Sequence, residues 1–432
     1  SRVYLPRVMS PTTFIARPLR QPDLVAWQRS MRSVGWTNRV DSARACPACP
    51  VTLSPRIVGE FDSIEAADWE RLDHQDNPFL SHAFLAALEQ SGSIGPGSGW
   101  TPHHLALYGD GQLLAFAPTY LKDHSHGEFV FDWAWADAYQ RAGLPYYPKL
   151  LTGIPWSPVS GPRLLTLRGH PAPEALRGHL VKLALDCVTE SGLSSWHCNF
   201  VHAEEQAVFE SKALLRRQDW QFHWRNEGFT DFDDFLDRLR SRKRKNIRRE
   251  RRQVLEADVE FHWFKGSEVG ESELDFLHRC YLRTFHLYGN HPALNRAFFA
   301  AIAAVLDDRF VLLIASRGDD RLAMSLFLAG GDRLYGRYWG CVEELPGLHF
   351  ETAYYQGIEY CIQNRIAVFE SGAQGEHKIS RGFLPSQTRS YHYLRDSRFR
   401  AAIADHLLRE RDWMDRYREQ LARHDPYRRD VA

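Results

Sequence analysis

The sequence predicts an α/β (α+β) protein made of two tandem units, each a mixed central sheet flanked by helices. Its 432 residues exceed what a single hydrophobic core usually fills. Two hairpin patterns, at 105–116 and 313–324, resemble each other and carry a Gly-Asp turn at the same place. Because the elements around both hairpins follow the same order, we infer a duplication.

The first unit is predicted to span 56–228, after an N-terminal extension at 1–55 with scattered Pro and Arg and little order. Apolar periodicity and turn residues delimit its elements. They are strands at 56–61, 104–108, 112–121, 128–135, 161–167, 195–200 and 220–224, and helices at 64–69, 83–90 and 173–191. The strand at 220–224 is expected to close this unit.

The second unit is predicted to span 229–432 and to repeat the order of the first. It starts with one long basic helix at 231–257. The other elements are helices at 271–287, 295–306 and 349–364, strands at 310–315, 321–328, 333–339 and 366–370, and a charged helical stretch at 398–423.

Charge and cysteine content narrow the class of protein. The 54 acidic and 54 basic side chains balance, so net charge alone indicates no polyanionic partner. Seven cysteines, an odd number in a long chain, do not form a disulfide framework. No apolar run reaches the ~18 residues of a membrane span. We therefore expect a soluble, cytoplasmic protein without a transmembrane segment, with its oligomeric state left open.

The most biased segment lies at 238–252, where ten of fifteen residues are basic. Such density of cations causes mutual repulsion along a helix. Two interpretations stay open: a solvated helix face, or a surface that binds the phosphates of a nucleotide-bearing donor such as tRNA or CoA. The candidate phosphate-binding residues are Arg242, Lys243, Arg244, Lys245, Arg248 and Arg249.

A polar, glycine-rich loop at 370–383 follows the apolar strand at 366–370. Its acids and imidazole, Glu370, Glu376 and His377, are candidate catalytic residues that act as general bases. Its candidate substrate-binding residues are Gln374, Gly375, Lys378 and Arg381, of which the two cations hold an anion or polarise a carbonyl. An ordinary glycine-rich loop is the alternative. No histidine shows metal-ligand spacing, so we expect no metal site.

Arg337 and Trp339 lie on the strand expected beside this loop and are further candidate substrate-binding residues. Strand alternation places both on one face with Tyr335, opposite Leu334. An arginine inside a central sheet needs a partner, and Glu370 is the candidate. A scaffold role and a substrate-clamp role for Arg337 fit the sequence equally.

Five motifs of this chain are long enough to be specific. They are Asn-Pro-Phe-Leu-Ser at 77–81, the basic run at 241–250, Leu-Tyr-Gly-Arg-Tyr-Trp-Gly at 334–340, Leu-His-Phe-Glu at 348–351 and Phe-Glu-Ser-Gly-Ala-Gln-Gly-Glu-His-Lys at 369–378. They resemble the Fem-like branch of the GNAT superfamily, and more closely the bacterial predicted N-acyltransferases related to the peptidoglycan-biosynthesis FemAB proteins. The resemblance covers about 56–425 and implies a GNAT-like order of elements in each unit.

The resemblance also implies a chemistry. Fem-type enzymes move an aminoacyl group from tRNA to an amine on a cell-wall precursor. Their equivalent of 369–383 holds substrate phosphate, and Lys378 or Arg381 matches the basic residue involved. GNAT enzymes that use CoA bind its pyrophosphate at a glycine turn before a helix. This chain has Glu343 and Glu344 there, and their charge repels phosphate.

We therefore expect an N-acyltransferase that moves an acyl or aminoacyl group from an activated ester or thioester to a substrate amine by direct attack. Glu376 or His377 takes the proton, and Arg337 or Lys378 stabilises the oxyanion. The donor co-substrate is acyl-CoA or aminoacyl-tRNA, with no tightly bound cofactor, and the acceptor is a small-molecule or peptide amine. A standard acyl-CoA-dependent N-acetyltransferase and a non-catalytic GNAT-fold binding protein stay as alternatives.

Overall fold

The computed structural model describes residues 44–46, 49–372 and 375–428. Its strands are β1 (Arg44–Cys46), β2 (Cys49–Val58), β3 (Trp100–Pro102), β4 (His104–Gly109), β5 (Gln112–Ala117), β6 (Thr119–Lys122), β7 (Lys149–Thr152), β8 (Leu165–Thr166), β9 (Ser195–Cys198), β10 (Leu215–Arg225), β11 (Glu260–Lys265), β12 (Phe310–Arg317), β13 (Asp320–Gly330), β14 (Arg333–Cys341), β15 (Val368–Glu370) and β16 (Leu384–Leu394).

Twelve α-helices lie within these residues. They are α1 (Ala66–Trp69), α2 (His82–Gln90), α3 (Trp133–Arg141), α4 (Pro173–Glu190), α5 (Gln206–Glu210), α6 (Phe232–Arg238), α7 (Ser241–Leu255), α8 (Glu271–Leu287), α9 (Arg296–Leu306), α10 (Leu348–Phe350), α11 (Gln356–Gln363) and α12 (Ser397–Arg423). A π-helical turn, Glu351–Tyr355, joins α10 to α11. No helix in the described part of the chain is both long and apolar enough to cross a membrane.

The described strands form a five-stranded and an eleven-stranded sheet. The smaller has the order β1-β2-β4-β5-β8, and the larger β11-β12-β13-β14-β15-β10-β16-β9-β7-β6-β3. The chain passes from the smaller to the larger sheet at Pro118, between β5 and β6. Because proline has no N–H for the ladder, strand pairing is interrupted at that residue.

Both predicted hairpins are present. Gly109 pairs with Gln112 in the first, where Asp110 and Gly111 have positive φ as a two-residue turn requires. In the second, Arg317 pairs with Asp320. Each hairpin is followed along the chain by a parallel strand pair with a helical crossover: β7 with β9 through α4, and β14 with β15 through α10 and α11. This repeated order confirms the predicted mixed α/β fold with the same order of elements in the two halves.

The two halves interleave their last strands, which the sequence did not predict. β10 lies between β15 and β16, and β16 lies between β10 and β9. The expectation that the strand at 220–224 closes the first unit is therefore wrong, since β10 pairs only with strands of the second half. The hydrogen-bonded sheet runs through the predicted boundary at 228.

Several predicted elements differ from the structure: the strand at 112–121, for example, is divided at Pro118 into β5 and β6. Three further differences concern the first strand, the strand at 128–135 and the basic helix. The strand predicted at 56–61 begins earlier, at Cys49 inside the predicted extension, because β2 pairs there with β1. The predicted strand at 128–135 is a loop followed by α3, because Glu128 and Asp132 turn inward to bind Lys149. The predicted basic helix is two helices, α6 and α7. It breaks at Leu239, which is fully buried and forms an antiparallel bridge with Tyr427.

Helices cover the second-half strands on both faces, which separates two parts of the core. On one face Tyr335 packs against Phe79 and the hydrophobic core beneath α2, α8 and α9. On the other face Phe369 packs with Phe383 and the core beneath α6 and α11. The two faces of the strand pair β14 and β15 therefore contact different parts of the hydrophobic core.

The fragment 56–228 expressed alone is expected to lack a cooperative unfolding transition. Its β9 would lose β16, and its β10 would lose both neighbours, so the fragment exposes unpaired strand edges. Urea unfolding followed by circular dichroism and tryptophan fluorescence, with the full chain as the control, checks this. A sharp transition of the fragment near the midpoint of the full chain would contradict the interleaved arrangement.

Candidate active site

The candidate site lies where the parallel strands β14 and β15 separate. Their pairing covers three positions and ends at Tyr335 opposite Glu370, after which β14 continues to Cys341. The loop that leaves β15 packs directly against β14. A Cβ added at Gly336 would lie 3.3 Å from the Phe369 ring and 3.4 Å from Ser371 Cα.

Lys378 is the buried cation of this loop. Its side chain is only 2% exposed, and Nζ donates to the carbonyl oxygens of Ser371 and Gly372, both at 2.9 Å. No carboxylate in the described chain forms an ion pair with it. Burial lowers the pKa of Lys378 from 10.5 to about 7. Near neutral pH this amine exists in both protonation states, as is typical of functional lysines.

His377, next to Lys378, is exposed and lies beside the π-helical turn. Its Nε2 is 3.0 Å from the Tyr354 hydroxyl. Partial burial and the nearby cations Arg381 and Lys378 lower the pKa of His377. The imidazole is therefore neutral near pH 7 and is able to accept a proton.

Two aromatic residues extend the site along β14 and α10. The Trp339 Nε1 donates to Thr352 Oγ1 at 2.7 Å, and its ring meets the His349 ring edge-on at 4.6 Å. Burial, with further contributions from His377, Arg381 and Lys378, lowers the pKa of His349 to about 4. This neutral, aromatic wall faces the polar loop.

Arg381 braces the loop instead of facing a substrate. Its guanidinium forms an ion pair with Glu250 at 2.9 and 3.0 Å and lies 3.4 Å from the Phe350 ring centroid. It also donates to the His377 carbonyl at 3.0 Å. Tyr355 OH donates to the same Glu250 carboxylate. Glu250 lies on α7, so the basic helix is attached to the loop through this pair.

Glu370 and Arg337 have partners other than Lys378. Glu370 binds Arg333 at 2.8 Å and lies 3.8 Å from His223, on the face opposite Phe369. Arg337 donates to the Trp156 carbonyl at 2.8 Å and does not pair with Glu370, so the predicted ion pair is wrong. The parallel register explains this, because Arg333 shares the face of Glu370 and reaches it first.

Glu376 and Gly375 stand at the outer end of the loop. Glu376 is exposed and accepts a hydrogen bond from the Tyr417 hydroxyl of α12 at 2.6 Å. Gly375 has φ 120°, and a Cβ there would lie 2.6 Å from the His377 ring, so this position requires glycine. Gln374 lies outside the described residues. In the described chain no three His, Cys, Asp or Glu side chains are placed to hold a metal ion.

The six predicted phosphate-binding residues all lie on α7. Two of them form ion pairs with acidic side chains of α6. Arg244 pairs with Asp237 at 2.9 Å and Arg248 with Asp233 at 3.0 Å. Partial burial and the cations Arg242, Arg240 and Arg381 lower the pKa of Lys243. The other three, which are exposed and have no ion-pair partner among the described residues, are Arg242, Lys245 and Arg249.

Sequence reasoning missed four residues of the site: His349, Thr352, Tyr354 and Glu250. The motif at 348–351 contained His349, but the sequence did not show that a π-helical turn follows it. Such turns occur often at functional sites because the extra residue redirects side chains. Glu250 lies within a basic run. The sequence therefore suggests only that its carboxylate offsets the repulsion among the neighbouring cations, and does not identify Arg381 as its partner.

Glu250→Gln is expected to lower the free energy of unfolding by about 3 kcal/mol, since it leaves Arg381 buried without a counter-charge. The matched control on the same basic segment is Asp237→Asn. Its carboxylate is 66% exposed, so loss of the pair with Arg244 should cost less than about 1 kcal/mol. Urea denaturation at pH 7 measures both, and equal losses would show that the Glu250 pair does not brace the loop.

Comparison with known proteins places the chain in a family. The FemAB-like family model, described as peptidoglycan biosynthesis/recognition, matches residues 60–429. None of the curated proteins is a significant match. One similar solved structure is the C-terminal domain of a putative lysylphosphatidylglycerol synthetase from Agrobacterium fabrum, with 8% identity, 79% of this chain and 95% of that chain covered, and a TM-score of 0.48.

Two further solved structures are similar to this chain. FemX shows 11% identity, covering 74% of this chain and 93% of its own, with a TM-score of 0.45. A tandem GNAT protein from the clavulanic acid biosynthesis pathway shows 10% identity, covering 87% and 97%, with a TM-score of 0.38. Because the family model spans nearly all of the chain after the N-terminal segment, the protein belongs to the FemAB-like family.

Proposed function

We propose that the protein is an N-acyltransferase that transfers an acyl or aminoacyl group to a substrate amine beside Lys378. The observation that carries this proposal is Lys378, which is buried in the loop after β15 without an ion-pair partner in the described chain. Retaining a buried cation without a counter-ion costs stability, and such groups cluster at functional sites. FemAB-like membership supports an acyl-transfer role.

In this mechanism the neutral amine of the acceptor attacks the carbonyl carbon of the donor ester or thioester. A C–N bond forms and the carbonyl oxygen takes the negative charge. Protonated Lys378 has three N–H groups and uses two on the carbonyls of Ser371 and Gly372. The third is left to donate to the oxyanion.

The proton of the attacking amine passes to His377, whose pKa is lowered and whose ring is exposed. Glu376 is the second candidate acceptor, through water. Collapse of the adduct breaks the C–O or C–S bond, and the imidazolium of His377 protonates the leaving oxygen or sulfur. Arg337 is directed to the Trp156 carbonyl, so Lys378 is the preferred oxyanion donor.

Two features support an aminoacyl-tRNA donor rather than acyl-CoA. GNAT enzymes bind CoA phosphate at a helix N-terminus, and the corresponding end here is Gly347, before α10. The backbone carbonyl of Glu250 would lie 2.9 Å from a Cβ on Gly347, so α7 occupies this approach. The exposed cations Arg242, Lys245 and Arg249 on the same α7 offer the alternative phosphate-binding surface.

The acceptor is a small-molecule or peptide amine, and a peptide amine of a cell-wall precursor suits the family description. An acyl-CoA-dependent transferase and a non-catalytic binding protein are the other outcomes. A thermal shift with acyl-CoAs and not with tRNA would support the acyl-CoA-dependent transferase. Binding of neither acyl-CoA nor tRNA would support the non-catalytic binding protein.

Lys378→Met is expected to abolish transfer and to raise the free energy of unfolding below pH 7, by on the order of 2–4 kcal/mol. The folded pKa of about 7 lies below that of an unfolded lysine, about 10.4. The unfolded chain thus binds more protons between these values, and wild-type stability rises with pH across this range. The advantage of the variant should therefore shrink towards pH 10.

The measurements are urea unfolding at pH 6, 8 and 10, and release of free tRNA or CoA with a panel of amines. The exposed Lys212→Met is the control and should change neither property. Retained transfer by Lys378→Met would exclude the proposed role, and a loss of stability at every pH would make this lysine a structural residue.

Replacing Arg242, Lys245 and Arg249 together with Gln is expected to weaken tRNA binding and to reduce the slope of log affinity against log salt by roughly 2–3. The charge-matched control replaces the exposed α12 arginines Arg409, Arg416 and Arg418 with Gln. Salt-titrated filter binding or fluorescence anisotropy measures both variants. Equal slopes for the two triple variants would remove the α7 surface from the donor site.

A further inference from the structure

A second group of buried charges lies in the first half, against the parallel pair β7 and β9. Lys149 begins β7, and Lys122 lies opposite it in β6. Both lysines are fully buried. Two acids of the loop before α3, Glu128 and Asp132, are buried above them. We call these four residues, with Asn199, the first-half polar centre.

The ammonium group of Lys149 uses all three of its N–H donors in hydrogen bonds within the protein. Its Nζ donates to Glu128 Oε2 at 2.8 Å, to Ser125 Oγ at 2.7 Å and to Asp132 Oδ2. Tyr146 OH donates to the same Asp132 oxygen at 2.6 Å. These contacts use one oxygen of each carboxylate.

The other oxygen of each carboxylate has no partner. Glu128 Oε1 and Asp132 Oδ1 are buried without a hydrogen bond, and so is Asn199 Oδ1. The Asn199 amide nitrogen donates to the backbone carbonyl of Glu128, which places that side chain beside the loop that carries the acids. All three side chains are at most 4% exposed. Buried acceptors left unsatisfied cost free energy, so the centre calls for a hydrogen-bond donor.

A bound cation would also change the protonation of the centre. Lys122 donates to the carbonyls of Gly99 and His126 and forms no ion pair in the described chain. Burial lowers the pKa of Lys122 and raises the pKa of Glu128, each to about 7, while Asp132 and Lys149 remain charged. A positive charge bound beside Glu128 would favour the ionised form of that carboxyl.

We propose that the first-half polar centre binds a primary ammonium group, whose three N–H donors equal in number the three unpartnered oxygens of Glu128, Asp132 and Asn199. This site is separate from Lys378 and lies on the strand pair of the first half that corresponds to β14 and β15. It adds an ammonium-recognition site to the protein and does not depend on the acyl transfer proposed above.

The loop at 123–132 carries both acids of the centre, which are buried. Phe129, a bulky residue, has φ 57° there, and Phe129 and Phe131 are 37% and 51% exposed. Left-handed backbone is unfavourable for such a residue and is often retained beside a ligand site.

The test uses the full chain with methylammonium chloride as the probe. Tetramethylammonium chloride at equal ionic strength is the control, because it has the same charge and no N–H donor. Calorimetry and thermal unfolding should show saturable binding and stabilisation with methylammonium only. Hydrogen exchange of the amides at 123–132 should slow when methylammonium binds.

Asn199→Ala tests the geometry without removing a partner of Lys149. It should bind methylammonium about tenfold more weakly, because one charge-assisted hydrogen bond is lost. The exposed α3 residue Asp137, as Asp137→Asn, is the matched control and should bind like the wild type. Asp132→Asn should abolish binding.

Equal responses to methylammonium and tetramethylammonium would overturn the proposal, as would wild-type binding by Asn199→Ala. The unpartnered oxygens would then hold water only. These measurements need no donor or acceptor substrate. Failure of ammonium binding therefore leaves the transferase proposal intact, and loss of transfer in Lys378→Met leaves this site unaffected.

Discussion

The antiparallel ladder between β10 and β16 is the interaction on which the rest of the structure depends. It pairs residues of the two halves from Leu215 opposite His392 to His223 opposite Leu384. On its two sides, β10 pairs with β15 and β16 pairs with β9. The strand end that carries the Lys378 loop therefore acquires its second neighbour only when both halves are folded.

The buried cations discussed above fall into two groups, according to whether their partners are carboxylates or backbone carbonyls. Arg381 and Lys149 are neutralised by carboxylates within hydrogen-bond distance, Glu250 in one case and Glu128 with Asp132 in the other. Lys378 and Lys122 donate instead to backbone carbonyls, and burial lowers the pKa of both to about 7. Paired cations hold loops in place, whereas the unpaired ones retain a proton that is free to exchange near neutral pH.

Prediction from sequence succeeded where structure is local. The hairpins around Asp110 and Asp319 follow from turn residues between apolar runs, and α8 and α9 follow from helical periodicity. It failed where contacts with residues distant in sequence determine the secondary structure. The ion pairs of Lys149 replaced a strand at 128–135 with a loop and α3, and the bridge to Tyr427 divided the basic helix. Neither partner is visible in a short window of sequence.

By itself the sequence determined the tandem α/β order, the polar loop after β15 and the basic character of α7, because each depends on residues close together in the chain. Only the tertiary structure decided which strands interleave and that Glu370 pairs with Arg333. It also decided that Glu250 neutralises Arg381 while Lys378 stays unpaired. These are contacts between residues far apart in sequence, and strand register and burial fix them only after the chain has folded.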